Sequence, residues 1–166
     1  MQYVRIPQER IAVLIGSKGE IKKEIELRTQ TKLSIEETEV SVEGESVDEW
    51  ISKDIIKAIG RGFNPEKAFR LLGDENILEV IDLRDYGGVS EKNMARLKGR
   101  VIGEKGRSWK VIEDLTGAFL AVYGKTISII GSYGEVDIAK RAVDMLLSGS
   151  NHSNVYRFLE RSQGRR

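Results

Sequence analysis

The sequence predicts an α+β fold built from two copies of one β-α-α-β-β-α unit, each with a three-stranded antiparallel sheet packed against helices. Three observations predict it: an internal repeat, the same order of helical and strand periodicities in each copy, and a glycine loop at the same place in both. A shift of 87 positions aligns residues 10–62 with residues 97–149 without a gap. Identical residues in this register include Ile15/Ile102, Gly16/Gly103, Lys18/Lys105, Gly19/Gly106, Lys23/Lys110, Ile25/Ile112, Glu26/Glu113, Thr29/Thr116, Leu33/Leu120, Gly44/Gly131 and Gly62/Gly149.

Each copy opens with an extended segment, at residues 3–6 and 77–83, and continues with a short helix at about 8–14 and 90–101. Pro7 suits the start of the first of these helices, and Ser90 is a favourable N-cap for the second. The glycine loop then leads into another helix. Its amphipathic spacing is carried by Ile21, Ile25 and Arg28 in the first copy, and by Trp109, Ile112 and Leu115 in the second.

Two strands and a closing helix complete each copy. Apolar residues alternate with polar ones at Leu33, Ile35, Val40 and Val42, and again at Leu120, Val122, Ile127 and Ile129. Short turns join the strands at 36–39 and 123–126, and Gly44 and Gly131 end the sheets. The predicted buried positions of the closing helices are Val47, Ile51, Ile55 and Ala58, then Ile138, Ala142, Met145 and Leu146.

These elements divide the chain into four segments. Residues 1–62 form a first domain and 77–149 a second. Between them lies a linker, 63–76, with a short helix at 65–72. Residues 150–166 form a basic C-terminal helix or tail.

The duplication and the short linker predict that the two units pack together in a pseudo-twofold arrangement. NMR relaxation should then give one common tumbling time for both. Two domains that tumble independently would contradict this expectation.

Composition excludes several classes of function. The chain has 166 residues, of which 40% are hydrophobic and 32% charged, as in a globular protein. It has no cysteine and one histidine, which excludes disulfides, thiolate metal sites and imidazole clusters. Asp82, Asp85, Glu113 and Asp114 have no clustered ligand or nucleophile nearby in sequence, so salt bridges are the better interpretation. We therefore expect no enzyme, no metal and no cofactor. Without an apolar run or a signal peptide, the expected protein is cytoplasmic and has no membrane partner.

The net charge of +1 conceals an uneven distribution. Residues 1–62 carry ten basic and twelve acidic side chains, whereas residues 92–110 carry seven basic side chains and a single acid, Glu104. Residues 150–166 add four arginines against one glutamate. The basic run could be a solvated helix face, but its charges flank the second glycine loop, which favours a nucleic-acid site.

A glycine-bounded loop that enters a helix N-terminus is suited to holding phosphate. The glycines allow close approach of the backbone, while free N–H groups and the helix dipole favour negative charge. A lysine lies inside each loop. The predicted RNA-binding residues are Gly16, Ser17, Lys18, Gly19, Lys22 and Lys23 in the first copy, and Arg96, Lys98, Arg100, Ile102, Gly103, Glu104, Lys105, Gly106, Arg107 and Lys110 in the second.

The residues around both loops resemble a type I KH domain. The resemblance rests on the run 14–19 with Ile25, Thr29 and residues 33–35, and on the run 101–106 with Ile112 and residues 116–118. It implies two tandem type I KH domains. In that family the GxxG loop clamps about four nucleotides of a single strand, whose bases lie in an apolar groove beside it.

Residues 77 to about 160 are more narrowly similar to the second KH domain of the Dim-two, or partner-of-Nob, ribosome-biogenesis proteins. The similarity rests on the runs 100–113, 127–133 and 155–159. It implies an archaeal member of that family that binds the 3′ region of precursor small-subunit rRNA. The implied partners are a Nob-type endonuclease and the pre-ribosomal small subunit, and the expected oligomeric state is a monomer.

The first copy leaves an alternative open. The turn at residues 36–39 places three glutamates at the rim of its own groove, where they would repel a phosphate chain. That copy is either a second RNA-binding unit or a module that packs against protein partners, and the whole chain could be a protein-interaction scaffold. Trp50 is predicted to be a packing residue, Trp109 a core residue in preference to a base-stacking one, and His152 an exposed hinge residue.

Overall fold

The structure, a computed structural model, describes residues 1–164. The chain divides into two units, Met1–Leu78 and the residues from Glu79 onward. Two three-stranded antiparallel sheets pack against helices, so the predicted α+β fold is confirmed. The segment boundaries and the pseudo-twofold arrangement stay predictions. Arg165 and Arg166, at the end of the predicted C-terminal tail, lie outside the described residues.

The first unit contains the sheet order β1-β3-β2. Tyr3 of the first strand and Ser34 of the second both lie opposite Ser41 of the third, and this register turns Val40 and Val42 into the core. The elements are β1 Gln2–Arg5, α1 Gln8–Ile15, α2 Glu20–Thr29, β2 Lys32–Glu36, β3 Glu39–Glu43, α3 Ser46–Gly60 and α4 Pro65–Ala68, followed by a 3₁₀ turn, Phe69–Leu72.

The second unit repeats this order with the sheet β4-β6-β5. Ser90 accepts a hydrogen bond from the Asn93 N–H, which confirms it as an N-cap. The elements are β4 Asn76–Asp82, a 3₁₀ turn Leu83–Tyr86, α5 Glu91–Ile102, α6 Arg107–Thr116, β5 Phe119–Tyr123, β6 Thr126–Ser132, α7 Tyr133–Leu147 and α8 His152–Gln163.

The predicted buried face of the closing helices was partly wrong. Val47 is 70% exposed and Trp50 57% exposed, so Trp50 is not a packing residue, while Ile51, Ile138 and Met145 are only half-buried. The buried face follows other positions, which are the same in both copies: Glu49/Val136, Ser52/Ala139, Ile55/Ala142, Ile56/Val143 and Ile59/Leu146.

Two buried polar residues explain the error. Glu49 and Ser52 face the core of the first unit, where their polar atoms are satisfied. The Glu49 carboxylate accepts from the Gly44 N–H at 3.1 Å and pairs with the N-terminal ammonium group at 3.1 Å. The Ser52 hydroxyl accepts from the Thr31 hydroxyl at 3.2 Å. Because the buried positions carry polar residues and exposed ones carry Val47 and Trp50, hydrophobic periodicity gives the wrong helix face.

The repeat extends ten residues beyond the segment aligned from the sequence. Asn64 and Asn151 are again 87 positions apart, and both cap a helix: their side chains accept from the N–H groups of Lys67 and Asn154, at 2.8 and 2.9 Å. Phe69 then corresponds to Tyr156. Helix α4 and its 3₁₀ turn are therefore the first-unit counterpart of α8, which is longer by at least a turn.

Candidate nucleic-acid interface

The two glycine loops have nearly the same backbone conformation. Gly16 and Gly103 have φ angles of 75° and 76°, Lys18 and Lys105 have 55° and 56°, and the closing glycines, Gly19 and Gly106, both have 76°. Three of the four residues in each loop therefore lie in the left-handed region, which L-residues other than glycine seldom adopt. The two units differ in most of their sequence, yet their loops have the same conformation. The local fold and the shared glycine and lysine residues therefore determine this conformation.

The first glycine of each loop is required by packing as well as by its φ angle. A Cβ atom on Gly16 would lie 2.4 Å from Ile21 Cγ1, and one on Gly103 would lie 2.7 Å from both the backbone nitrogen and the Oγ of Ser108. By contrast, a Cβ atom on Gly106 would meet no described atom within 4 Å. The second glycine is therefore required by backbone conformation alone.

The lysine in each loop is exposed and lies at the entrance of a helix. A left-handed backbone at a lysine costs of the order of 1 kcal/mol and is held by the hydrogen bonds around it. In the second loop the Gly106 N–H donates to the Gly103 carbonyl at 3.2 Å, and the Gly103 N–H donates to the Gly99 carbonyl at 2.8 Å. Gly106 is the N-cap of α6 and offers no side-chain acceptor, so the first-turn N–H groups of this helix favour an anion.

Beyond the second loop, basic side chains continue along one face of α6. Arg107 and Lys110 are exposed and lie one turn apart. They line a shallow groove of about 640 Å³ together with Glu104, Lys105, Val111 and Asp114. Arg96 is also exposed and Lys98 is half-buried, whereas Ile102 is half-buried at the end of α5. The structure therefore brings Lys105, Arg107 and Lys110 together.

Arg100 points to a different place. Its Nε donates to the Leu146 carbonyl at 2.6 Å, and its terminal nitrogen donates to the Ser150 carbonyl, so the guanidinium group binds the C-terminal end of α7. Arg10 makes the equivalent contacts in the first unit, with the carbonyl oxygens of Ile59 and Phe63 at 2.7 and 2.8 Å. Sequence reasoning missed this role, because Arg10 and Arg100 are one helical turn out of register in the repeat.

Helix α8 contacts the helices on both sides of the second loop. The hydroxyl groups of Tyr156 and the fully buried Ser108 are 3.1 Å apart, and His152 Nε2 lies 2.9 Å from the Arg100 carbonyl oxygen. The prediction of His152 as an exposed hinge residue was wrong, since it is the half-buried first residue of α8. Ser108 is also the residue with which a side chain at position 103 would clash. Helix α8 therefore contacts the residue that requires glycine at the start of the loop.

The Tyr156→Phe variant is expected to lower the free energy of unfolding of the second unit by about 1–3 kcal/mol, because it leaves the buried Ser108 hydroxyl without this partner. The double variant Ser108→Ala/Tyr156→Phe should recover most of the loss, since it removes both groups. Urea unfolding followed by amide signals of the second unit measures this. A double variant that is less stable than Tyr156→Phe would contradict it.

The first loop has less positive charge around it than the second. Ser17, Lys18 and Lys23 are exposed. Lys22, however, lies 3.9 Å from the Glu26 carboxylate. Three exposed glutamates occupy the turn between β2 and β3 or its edge, Glu36, Glu37 and Glu39. Arg5 pairs with only one of them, Glu39, at 3.5 Å.

Two of the four carboxylates considered for a metal, Asp82 and Glu113, have structural partners instead. Asp82 accepts hydrogen bonds from the backbone and side chain of Arg84, which lower the pKa of Asp82 to about 2. The Glu113 carboxylate accepts from the Leu120 N–H at 2.9 Å, as Glu26 does from the Leu33 N–H in the first unit. Residues 1–164 contain no cluster of three or more potential metal ligands. Within the same range, no helix has both the length and the apolar character needed to cross a membrane.

Trp109 is half-buried on α6, between the core position predicted for it and full exposure. Sequence reasoning found the loop and its basic helix, but it missed the contacts that α8 makes with α5 and α6 and the role of Arg100.

Comparison with known proteins adds two family matches. The family model for the second KH domain of PNO1, described as a eukaryotic-type KH domain of type I, matches residues 77–164. A general KH-domain model matches residues 1–61. The two matches together span both units of the structure.

Relatives are similar over nearly the whole chain. The KH domain-containing protein MJ0443 of Methanocaldococcus jannaschii is 47% identical over 98% of this chain and 74% of its own length. RNA-binding protein pno1 of Dictyostelium discoideum is 29% identical over 92% of this chain and 67% of its own length. The pre-rRNA-processing protein PNO1 of Phaeosphaeria nodorum is also 29% identical, over 86% of this chain and 51% of that protein.

Solved structures from Pyrococcus horikoshii have the same fold. The crystal structure of Dim2p is 49% identical, with a TM-score of 0.89, and the match covers 96% of this chain and 98% of that one. A chain in a complex described as a/eIF2alpha-aDim2p-rRNA is 46% identical, with a TM-score of 0.92 over 99% of this chain and 94% of that one.

Proposed function

The chain belongs to the type I KH-domain proteins of the Dim2/PNO1 family, and we propose that it binds single-stranded rRNA as a factor in the biogenesis of the small ribosomal subunit. One observation carries the proposal. The second glycine loop ends at the N-terminus of α6, where Lys105, Arg107 and Lys110 are all exposed. A phosphate chain there would meet the positive end of the α6 dipole, whose N-cap Gly106 has no side-chain acceptor, and three cations within about one and a half helical turns.

The loop geometry supports a clamp on the RNA backbone. The left-handed glycines keep Cβ atoms away from the surface on which the backbone of about four nucleotides lies in KH domains. The bases are then read by the groove beside the loop. Arg96 and Lys98 extend the positive field along α5, whereas we assign to Arg100 a structural role at the end of α7.

The names of the relatives indicate the class of RNA and of partner. Several are named for pre-rRNA processing or RNA binding, and one was crystallised in a complex with a/eIF2alpha and rRNA. We propose that this chain binds the 3′ region of small-subunit rRNA and works in the cytoplasm with a Nob-type endonuclease. We further propose that it is a monomer that acts by binding, without catalysis.

The variant Lys105→Glu/Arg107→Glu tests the site. It should weaken binding to a single-stranded rRNA oligonucleotide by several kcal/mol in total at low salt, because each phosphate that is no longer neutralised also releases fewer counterions. The slope of log K against log salt should become shallower by roughly 0.7 for each such phosphate. Fluorescence anisotropy over a salt series measures both quantities.

A matched control has the same change of net charge on the closing helices. Lys57→Glu/Arg141→Glu replaces two exposed basic residues, one in each unit, and should leave the affinity nearly unchanged at moderate salt. Equal affinity of the loop variant and the parent protein, with intact circular dichroism, would exclude the second loop as the RNA site.

A further inference from the structure

Helix α3 of the first unit carries an exposed apolar surface, formed by Val47, Trp50 and Ile51 and called here the α3 patch. Val47 is 70% exposed, Trp50 is 57% exposed and Ile51 is half-buried. The spacing i, i+3, i+4 places all three on one side of the helix. Beside them lies a groove of about 220 Å³, whose other lining residues include Asp54, Leu71 and Asp74.

The fold itself does not require the α3 patch. The second copy packs its closing helix with the same buried positions, yet it has Gly134 in place of Val47 and Asp137 in place of Trp50. Only Ile51 is shared, as Ile138. Since α7 forms its helix without a large apolar side chain at the other two positions, packing of the core does not account for Val47 and Trp50.

The surroundings of the α3 patch are acidic. Glu45, Asp74 and Glu75 are exposed, and Asp48 and Asp54 are half-buried. Burial raises the pKa of Asp54 above its usual value, although Lys57 and Lys53 oppose the shift. The Nζ of Lys53 lies 5.1 Å above the centre of the Trp50 ring. This surface would repel a phosphate chain.

We propose that the α3 patch is a docking surface for a protein partner that offers an aliphatic or aromatic side chain flanked by lysine or arginine. The apolar side chain would pack against Trp50 and enter the groove above Leu71. The flanking cation would pair with Asp54 or Asp74, which offsets the cost of desolvating the Asp54 carboxylate. A partly exposed tryptophan beside a groove and ringed by charged residues has the composition of an interface hot spot.

Charge selects this occupant over two others. A second copy of the chain that docked through its own α3 patch would bring one acidic surface against another, and RNA would do the same with its phosphates. The proposal goes beyond RNA binding by the second unit and does not depend on it.

Photo-crosslinking from position 47 tests the proposal. Val47 is replaced by benzoylphenylalanine in the full-length protein, which leaves Trp50 in place. The matched control carries the same group at position 134, the counterpart in the second copy. Each is irradiated in extract of the organism from which the chain comes, and the linked species are identified by mass spectrometry.

The expected result is one protein linked from position 47 and not from 134, with an apolar residue next to lysine or arginine in the linked peptide. The crosslink should be lost in the Trp50→Asp variant, which places at position 50 the residue found at the equivalent position of the second unit. It should be weakened by Asp54→Asn/Asp74→Asn. Purified, that partner should bind the Trp50→Asp protein roughly tenfold or more weakly. The RNA affinity of these α3-patch variants should stay unchanged. RNA affinity and partner binding are therefore measured independently, and a failure of the docking proposal can be distinguished from a failure of the RNA-binding proposal.

Four outcomes would overturn the proposal. They are an absence of protein links above the control at 134, a link to RNA, a link to a second copy of the chain, and a protein link that persists in the Trp50→Asp protein.

Discussion

Replacing Glu104 and Lys105 by two aspartates is expected to abolish RNA binding, whereas the same replacement of Ser17 and Lys18 should reduce it only modestly. Both changes place negative charge between the glycines, where the phosphate chain is expected to lie. The second loop is surrounded by the concentrated basic run 92–110. The first has Lys22 near Glu26, and its unit carries three exposed glutamates in the turn between β2 and β3 or at its edge. If attraction to phosphate sets the affinity, the second unit dominates binding and the first adds reach or register.

Fluorescence anisotropy with a single-stranded rRNA oligonucleotide measures the difference. Aspartate tolerates the left-handed conformation found at Lys18 and Lys105 better than most residues, so both variants should fold. Circular dichroism and urea unfolding check this. Equal losses of affinity would mean that the two grooves act as one continuous site. A larger loss from the variant of the first loop would show that the first unit, and not the more basic second unit, dominates binding.

Gly103→Ala is expected to destabilise the second unit by several kcal/mol, whereas Gly106→Ala should cost only about 1–2 kcal/mol, the penalty for a left-handed alanine. Both residues have a φ of 76°, but Gly103 has a ψ of 171°, a combination that only glycine adopts readily, whereas Gly106 has a ψ of 14°, so the backbone penalty is also larger at Gly103. Only at Gly103 does the new methyl group meet fixed atoms, since the Ser108 backbone nitrogen would lie 2.7 Å away. The difference between the two variants therefore measures the backbone and packing contributions at Gly103 together.

Urea unfolding of each variant gives the free energies, and RNA affinity gives a second measurement. Gly103→Ala should also weaken RNA binding, because relief of the clash moves α6 or the loop. If the two alanines cost the same, the close approach of Gly103 and Ser108 is not a constraint on the loop.

The order of elements could be predicted from the sequence because the helical and strand periodicities occur in the same order in both copies of the repeat. It failed for the closing helix of the first unit, where Glu49 and Ser52 are buried and Trp50 is exposed. Periodicity assumes that buried positions are apolar. A carboxylate that satisfies the Gly44 N–H and the N-terminal ammonium group is an exception that only the folded arrangement reveals.

For the interface, the glycine loops could be found because their conformation is encoded locally by two glycines and a helix start. The role of Arg100 could not be found, since its partners are carbonyl oxygens 46 and 50 residues away that any sequence would supply. The brace from α8 was missed for a related reason. The repeat was followed only as far as Gly62 and Gly149, short of the shared asparagine caps at 64 and 151.

The two arginines that bind the ends of the closing helices bear on how hybrids of the two copies should be made. Arg10 aligns with Leu97, and Arg100 aligns with Val13, yet both guanidinium groups reach equivalent carbonyl oxygens. The same interaction is thus supplied from two different positions of the repeat. A chimera that exchanges α1 and α5 as whole helices keeps an arginine in reach of the helix end, whereas residue-by-residue grafting deletes it. Reconstruction of an ancestral unit from the aligned columns would have the same problem, because Arg10 and Arg100 stand in different columns. The reconstructed unit would carry either two arginines for one helix end or none.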